Sequence, residues 1–187
     1  VSEMASIRDC LARMNVSEGK PLADLRVRQA LLSAIDRPTY CKNLLHDTYV
    51  PGGPAMPPTL DFGYNELKDP NSYNVERAKQ LLTEAGWKDT DGDGFVDKNG
   101  KNLELNYVIY TSRAELPIFA EATQADAKKV GIKVNINAVD YNVIDGIGTS
   151  GKYDLLISNI LTEQAGSPIN FMNMYWRSNI NGSNPQN

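Results

Sequence analysis

Residues 103–138 constrain the fold more than any other stretch. Leu103, Leu105, Tyr107 and Ile109 alternate with Glu104, Asn106 and Val108, the period of a strand. Leu116, Ala120, Thr123, Ala127 and Val130 then recur at helical spacing, and Gly131 supplies a left-handed stop. Ile132, Val134, Ile136 and Ala138 return to alternation. A helix of this length between two strands lets them lie parallel, with a right-handed crossover. Ser112 and Glu115 are spaced as a capping box, while Pro117 argues for a slightly later helix start.

The flanking chain extends this unit. Asp24 to Ile35 carries apolar residues at helical spacing behind a capping Asp24, and Pro38 suits the first turn of a second helix to about Leu45. Val50 to Pro58 holds four prolines and must run as an irregular arm, a style that Asp61 to Ser72 continues. Val75 to Gly86 reads as a short helix capped by Asn74. Another helix is expected near Tyr141 to Gly148, a strand at Tyr153 to Ser158, and a last helix from Pro168. The expected fold class is α/β with at least three strands in a sheet flanked by helices.

Composition narrows the function. Nineteen Lys and Arg stand against 23 Asp and Glu, a formal charge of −4 with no basic block, so there is no footprint for nucleic acid or anionic lipid. No stretch approaches the roughly 20 apolar residues of a membrane span. Val1 to Ala5 is not a signal peptide, and Asn179 to Asn187 reads as a loop stopped in mid-course, so both ends are expected to be cut points in a longer chain. Cys10 and Cys41 allow one disulfide or two free thiols, and with the lone His46 they build no metal site.

Catalytic material is sparse. No nucleophile elbow, phosphate loop, dinucleotide fingerprint or zinc-protease motif occurs. His46 sits at an apparent helix end and reads as structural. Arg26 and Arg28 could clamp an anion, but an Asp24–Arg28 pair at i, i+4 is the expected arrangement. Trp87 reads as a packing residue sealing a helix end. The sharpest local motif is Asp89-Thr90-Asp91-Gly92-Asp93-Gly94-Phe95-Val96-Asp97. Asp89, Asp91, Asp93 and Asp97 fall on calcium-loop positions 1, 3, 5 and 9, but Gly100 stands where a bidentate Glu should be. A tight polar turn, with Asp side chains holding backbone N–H groups, is the other reading. No cofactor is expected, with calcium as the alternative.

Several stretches, in order, resemble the peptide/nickel family of solute-binding proteins that serve ABC importers. They are Pro21-Leu22-Ala23-Asp24-Leu25-Arg26-Val27-Arg28-Gln29-Ala30-Leu31 with Ala34-Ile35-Asp36-Arg37, then Pro51-Gly52-Gly53-Pro54 with Pro57-Pro58. Glu76 to Leu82 leading into Ala85-Gly86-Trp87, the Asp-Gly loop, Val130 to Val134 and Gly151-Lys152-Tyr153-Asp154 complete the set. The resemblance implies a lobe of a periplasmic-binding-protein type II-like fold with a mixed sheet. It makes residues 1–187 a partial C-terminal lobe of a two-lobed protein: 1–20 a hinge-side segment, 21–178 the lobe core, 179–187 a truncated loop.

The implied role is a peptide receptor outside the membrane, periplasmic or lipid-anchored on the cell surface. Its partners would be a peptide and ABC permease subunits, with no nucleic acid and a monomeric state. It would not be an enzyme. A nickel or metal-chelate receptor is the nearest alternative, a calcium-stabilised module a further one. In peptide-binding members an Asp past the last strand holds the α-amino group. Counting forward from Tyr153-Asp154 gives Glu163, and counting back from Ser167-Pro168 gives Gln164, so the segment is one residue long. Glu163, Gln164, Ala165, Gly166, Ser167 and Tyr175 are therefore the candidate ligand-binding residues, Tyr175 because it follows a strand end.

Overall fold

The computed structural model describes residues 6, 8–53, 57, 69–163 and 167–175, the side chains of 174 and 175 excepted. Its centre is a four-stranded sheet in the order β1 (Arg8–Met14), β6 (Leu155–Leu161), β4 (Glu104–Tyr110), β5 (Lys133–Val139). β4 runs parallel to both β5 and β6, and β1 runs antiparallel to β6. The chain leaves β4 through α4 (Glu115–Lys128) to reach β5, then returns through α5 (Ile144–Ser150) to β6 on the other side of β4. The mixed α/β sheet and the parallel pair follow the expectation.

β4 departs from simple alternation. Tyr107 and Leu155 pair on one face, Val108 and Leu156 on the other, and all four are buried. Gly148 of α5 lies over Leu156 and the Arg13 guanidinium. On the opposite face Tyr40 reaches Asp126 of α4 beside Tyr107. A strand covered on both sides loses its polar face, as central parallel strands do. β1 lies in the segment read from sequence as hinge-side. Its run of Arg, Asp, Cys and Arg hides the pattern, yet Cys10, Ala12 and Met14 pack on the core.

Local signals set the helices. α1 (Leu25–Ala34) starts at Asp24, whose carboxylate accepts from the Arg26 amide at 2.9 Å. α2 (Arg37–Thr39) opens with Pro38 and widens into a π turn over Tyr40–Leu44. α3 (Val75–Glu84) is capped by Asn74, which accepts from the Arg77 amide, and Gly86 ends it at φ 86°. The expected capping box at Ser112 does not form: Ala114 precedes α4 with no side-chain cap. Pro117 falls in the first turn, where its missing N–H costs nothing. A two-stranded ribbon, β2 (Asp97–Lys98) with β3 (Lys101–Asn102), and α6 (Ile169–Tyr175) complete the described elements.

Two buried carboxylates tie the layers. Asp126 accepts from the Asp36 amide at 2.9 Å, the Tyr40 hydroxyl at 2.5 Å and the Lys129 ammonium at 2.6 Å. Burial pushes its carboxyl up, but those three donors outweigh burial and hold it below the usual carboxylate range. Removing such a buried, multiply bonded charge costs about 3 kcal/mol. Asp154 accepts from the Asn106 amide at 2.8 Å and the Lys20 ammonium at 3.1 Å, fastening the loop after β1 to β4.

Candidate functional site

Three parallel strands point their carboxyl ends the same way. The segments that follow β4, β5 and β6 therefore gather at one end of the sheet, where open α/β sheets bind ligands. Antiparallel β1 brings Arg8 and Asp9 to the same end, opposite Leu161 and Ile160. The Arg8 guanidinium donates to Asn159 Oδ1 at 3.1 Å, and Asn159 Nδ2 donates to Glu115 at 3.5 Å. Tyr49 lies close to the Glu115 carboxylate and packs edge-on against Phe119 at 5.6 Å. Tyr110, the last residue of β4, meets Tyr141 edge-on at 5.0 Å. Tyr141 is 60% exposed, and Val143, Leu161, Ile169 and Met172 are exposed on the neighbouring segments.

The electrostatics of this end are strained. Burial raises the Asp9 carboxyl to about 6. Burial first, then the carboxylates of Glu115 and Asp9, push the Cys10 thiol to about 12, with Arg113 opposing. Burial and Glu115 push Tyr49 to about 12, again opposed by Arg113. The thiols of Cys10 and Cys41 are both free, and Cys10 is held far from the thiolate form that reactive cysteines use. What gathers here is suited to holding charged and polar groups of a ligand.

The residues singled out from sequence are only partly placed. Glu163 is half-buried just past β6, and Ser167 Oγ accepts from the Ile169 amide at 3.3 Å, so it serves the start of α6. Gln164, Ala165 and Gly166 lie outside the described residues, as does the Tyr175 side chain, although its backbone closes α6. Sequence reasoning missed Arg8, Asp9, Tyr110, Glu115, Tyr141 and Asn159. Tyr110 and Tyr141 were within reach, since each closes or follows a strand of the parallel pair. Asn159 and Arg8 gave no signal, because their pairing needs β1 in the sheet.

One further expectation is corrected. Asp24 pairs with Arg26, at 2.6 Å, rather than with Arg28, which instead donates to the Leu22 and Ala23 carbonyls. The cap geometry turns the Asp24 carboxylate toward its near neighbour. His46 lies past α2 in a left-handed turn at φ 50°, and Tyr49 of the same stretch joins the carboxyl-end cluster.

The Asp-Gly loop lies at the sheet's amino end, where Val96 donates to the Gly131 carbonyl. Carboxylate oxygens of Asp89, Asp91 and Asp97 come within 4.8 Å of one another. Asp93, expected among them, instead accepts from the Phe95 amide at 2.8 Å and Asn102 Nδ2 at 2.8 Å. The others are also engaged: Asp89 by the Gly92 and Gly94 amides, Asp91 by the Asp93 amide, and buried Asp97 by the Thr90 amide and hydroxyl. This is the polar-turn arrangement.

Known proteins match both chain and fold. The family described as "Bacterial extracellular solute-binding proteins, family 5 Middle" matches residues 4–183. The oligopeptide-binding protein AppA of Bacillus subtilis is 35% identical over 125 residues, covering 65% of this chain and 22% of its own. The nickel-binding periplasmic protein of Escherichia coli is 27% identical over 136 residues, 73% of this chain and 26% of its own. The solved AppA structure, in complex with a nonapeptide, superposes with a TM-score of 0.69 at 25% identity, over 90% of this chain and 35% of that one. The chain thus spans about a quarter of the length of these curated relatives.

Proposed function

This chain belongs to the bacterial extracellular solute-binding proteins of family 5, and we propose that it is part of the second lobe of a receptor that captures peptides outside the membrane and delivers them to an ABC permease. The carrying observation is the carboxyl end of the sheet. There Arg8 reaches Glu115 through Asn159, Asp9 and Arg113 act on the Cys10 thiol with Glu115, and the exposed Tyr141 packs on Tyr110 at the end of β4. A peptide offers matching chemistry: charged termini, a regular backbone of donors and acceptors, and varied side chains. Similarity to an oligopeptide-binding protein supports the same reading. The work is binding rather than catalysis. Closure draws its energy from ligand contacts made only in the closed form.

In this reading Glu163 supplies the negative partner for the peptide's ammonium, with Gln164, Ala165, Gly166, Ser167 and Tyr175 as further ligand-binding candidates. A charge-assisted bond of that kind is worth about 1.5–3 kcal/mol. The receptor acts as a monomer beside its permease, in the periplasm or lipid-anchored on the cell surface, and holds no nucleic acid. In this reading it carries no resident cofactor, and the Asp-Gly loop, whose carboxylates accept from its own amides, serves as a structural turn. A nickel or chelate receptor is the second reading, favoured by the nickel-binding relative.

Native mass spectrometry of the whole receptor, purified gently from cells, separates the two. A spread of adduct masses matching short peptides is expected. A single mass with a nickel isotope pattern would replace the peptide reading with the second.

A further inference from the structure

Residues 36–49 form a strap along one face of α4. At its start the Asp36 amide and the Tyr40 hydroxyl both donate to Asp126, at 2.9 Å and 2.5 Å. At its end Tyr49 packs edge-on against Phe119 and lies close to the Glu115 carboxylate. Glu115, Phe119 and Asp126 stand at i, i+4 and i+11 on the helix, a single stripe about 16 Å long. The strap therefore starts where α4 closes, toward the amino end of the sheet. It delivers Tyr49 to the carboxyl end, where α4 opens.

The middle of the strap is unusual backbone. Tyr40–Leu44 is a π turn, closed by the Leu45 amide on the Tyr40 carbonyl at 3.1 Å. Such turns are rare and are frequent at functional sites. His46 and Asp47 then take φ 50° and 59°, two consecutive left-handed residues without a glycine. L residues enter that region at a cost, and such outliers cluster where function uses the geometry. The turn is pinned by the Asp47 amide on the Cys41 carbonyl at 2.9 Å and the Thr48 amide on the Leu45 carbonyl at 3.0 Å. The core does not need this path. Leu45 is buried, but His46, Asp47 and Thr48 are exposed. What the strained turn achieves is the placement of one half-buried phenol, within electrostatic reach of Cys10 of β1, Arg113 and Glu115.

We propose that Tyr49 is a specificity-determining residue of the ligand end, a wall of the subsite that receives one side chain of a bound peptide, and that the strained turn at His46–Asp47 fixes it there. The proposal rests on the peptide reading. A tyrosine suits such a wall, with a rigid ring, an apolar body and a polar tip. Anchorage to Asp126 at one end and Phe119 at the other ties the wall to a helix, and a wall on a rigid element discriminates better than one on a free loop.

The test uses the whole receptor, stripped of carried ligand and offered a randomised hexapeptide library, with bound peptides sequenced by mass spectrometry. Wild type is expected to favour particular residues at one peptide position. Tyr49→Ala should weaken that preference about tenfold and leave the other positions unchanged. Tyr49→Phe, which keeps the ring, should retain most of it. Asp47→Gly should weaken the same preference with a melting temperature no lower than wild type, since glycine takes the left-handed turn without strain. A purely structural role would move stability instead. If wild type retains no peptide, the peptide reading falls and takes this proposal with it. The proposal alone is overturned if wild type binds peptides without preference at any position, if Tyr49→Ala selects the same peptides as wild type, or if all positions weaken together with the melting temperature.

Discussion

At the amino end of the sheet, Asp89, Asp91, Asp93 and Asp97 all find donors within nine residues along the chain. At the carboxyl end, Arg8 reaches Asn159 across 151 residues, and Asn159 reaches Glu115 across 44. The acids also differ in sign of strain. The Phe95 amide, then Asn102, hold the Asp93 carboxyl below the usual range, whereas burial holds Asp9 up at about 6. A loop whose charges are satisfied by its own backbone supports the fold. An end whose charges are gathered from afar, partly desolvated, holds interactions in readiness for something else, as functional sites do.

The largest expected effect tests the supporting side. Asp97→Ala removes a 6%-exposed carboxylate and strands the Thr90 amide and hydroxyl. It should cost about 2–3 kcal/mol in urea unfolding, while ligand affinity of the whole receptor stays unchanged. The converse change is Tyr141→Ala at the carboxyl end, the proposed ligand end. It should lower ligand affinity about tenfold, near 1.4 kcal/mol, with little change in unfolding. If the two variants exchanged effects, the contrast between the ends would be wrong.

A smaller effect sharpens the electrostatic contrast. Asp9 binds its proton more tightly folded, at about 6, than unfolded, near 3.8. Its ionised form therefore costs stability, a cost that grows as pH rises from about 4 to about 6 and is constant above. Asp9→Asn should stabilise the fold above pH 6, by less than about 1 kcal/mol because the group is only half-buried, and give no gain below pH 4. Thermal melts at pH 4 and pH 7.5 would show it, and a gain of equal size at both would place the cause elsewhere. The smallest effect concerns metal. With the loop carboxylates already engaged, millimolar Ca²⁺ or EDTA should move Tm by less than about 1 °C; a rise of several degrees with Ca²⁺ would make the loop a metal site.

Legibility followed sequence distance. The capping Asp24 and Asn74, the stop at Gly86, the α4 face and the parallel β4–β5 pair all rest on residues close together, and each was readable. The Ser112 box was a local reading that failed, because the chain enters α4 already in helical geometry at Ala114. Asp126 went unremarked although it sits on the buried face of α4, since nothing nearby in sequence announces Tyr40 or the Asp36 amide as its partners. The candidate site was the least legible part. Glu163 and Ser167 came from resemblance, and the Arg8–Asn159–Glu115 chain came only with the fold.

The sequence by itself determined the α/β class, the strand–helix–strand unit, the family and the polar character of the Asp-Gly loop, because hydrophobic period, caps and turns act over a few residues. Only the tertiary structure decided that β1 joins the sheet beside β6, that Leu156 is covered by α5, and which charges meet at each end. Those outcomes depend on burying surfaces from distant segments against one another, and a contact across 151 residues leaves no period or spacing to be read.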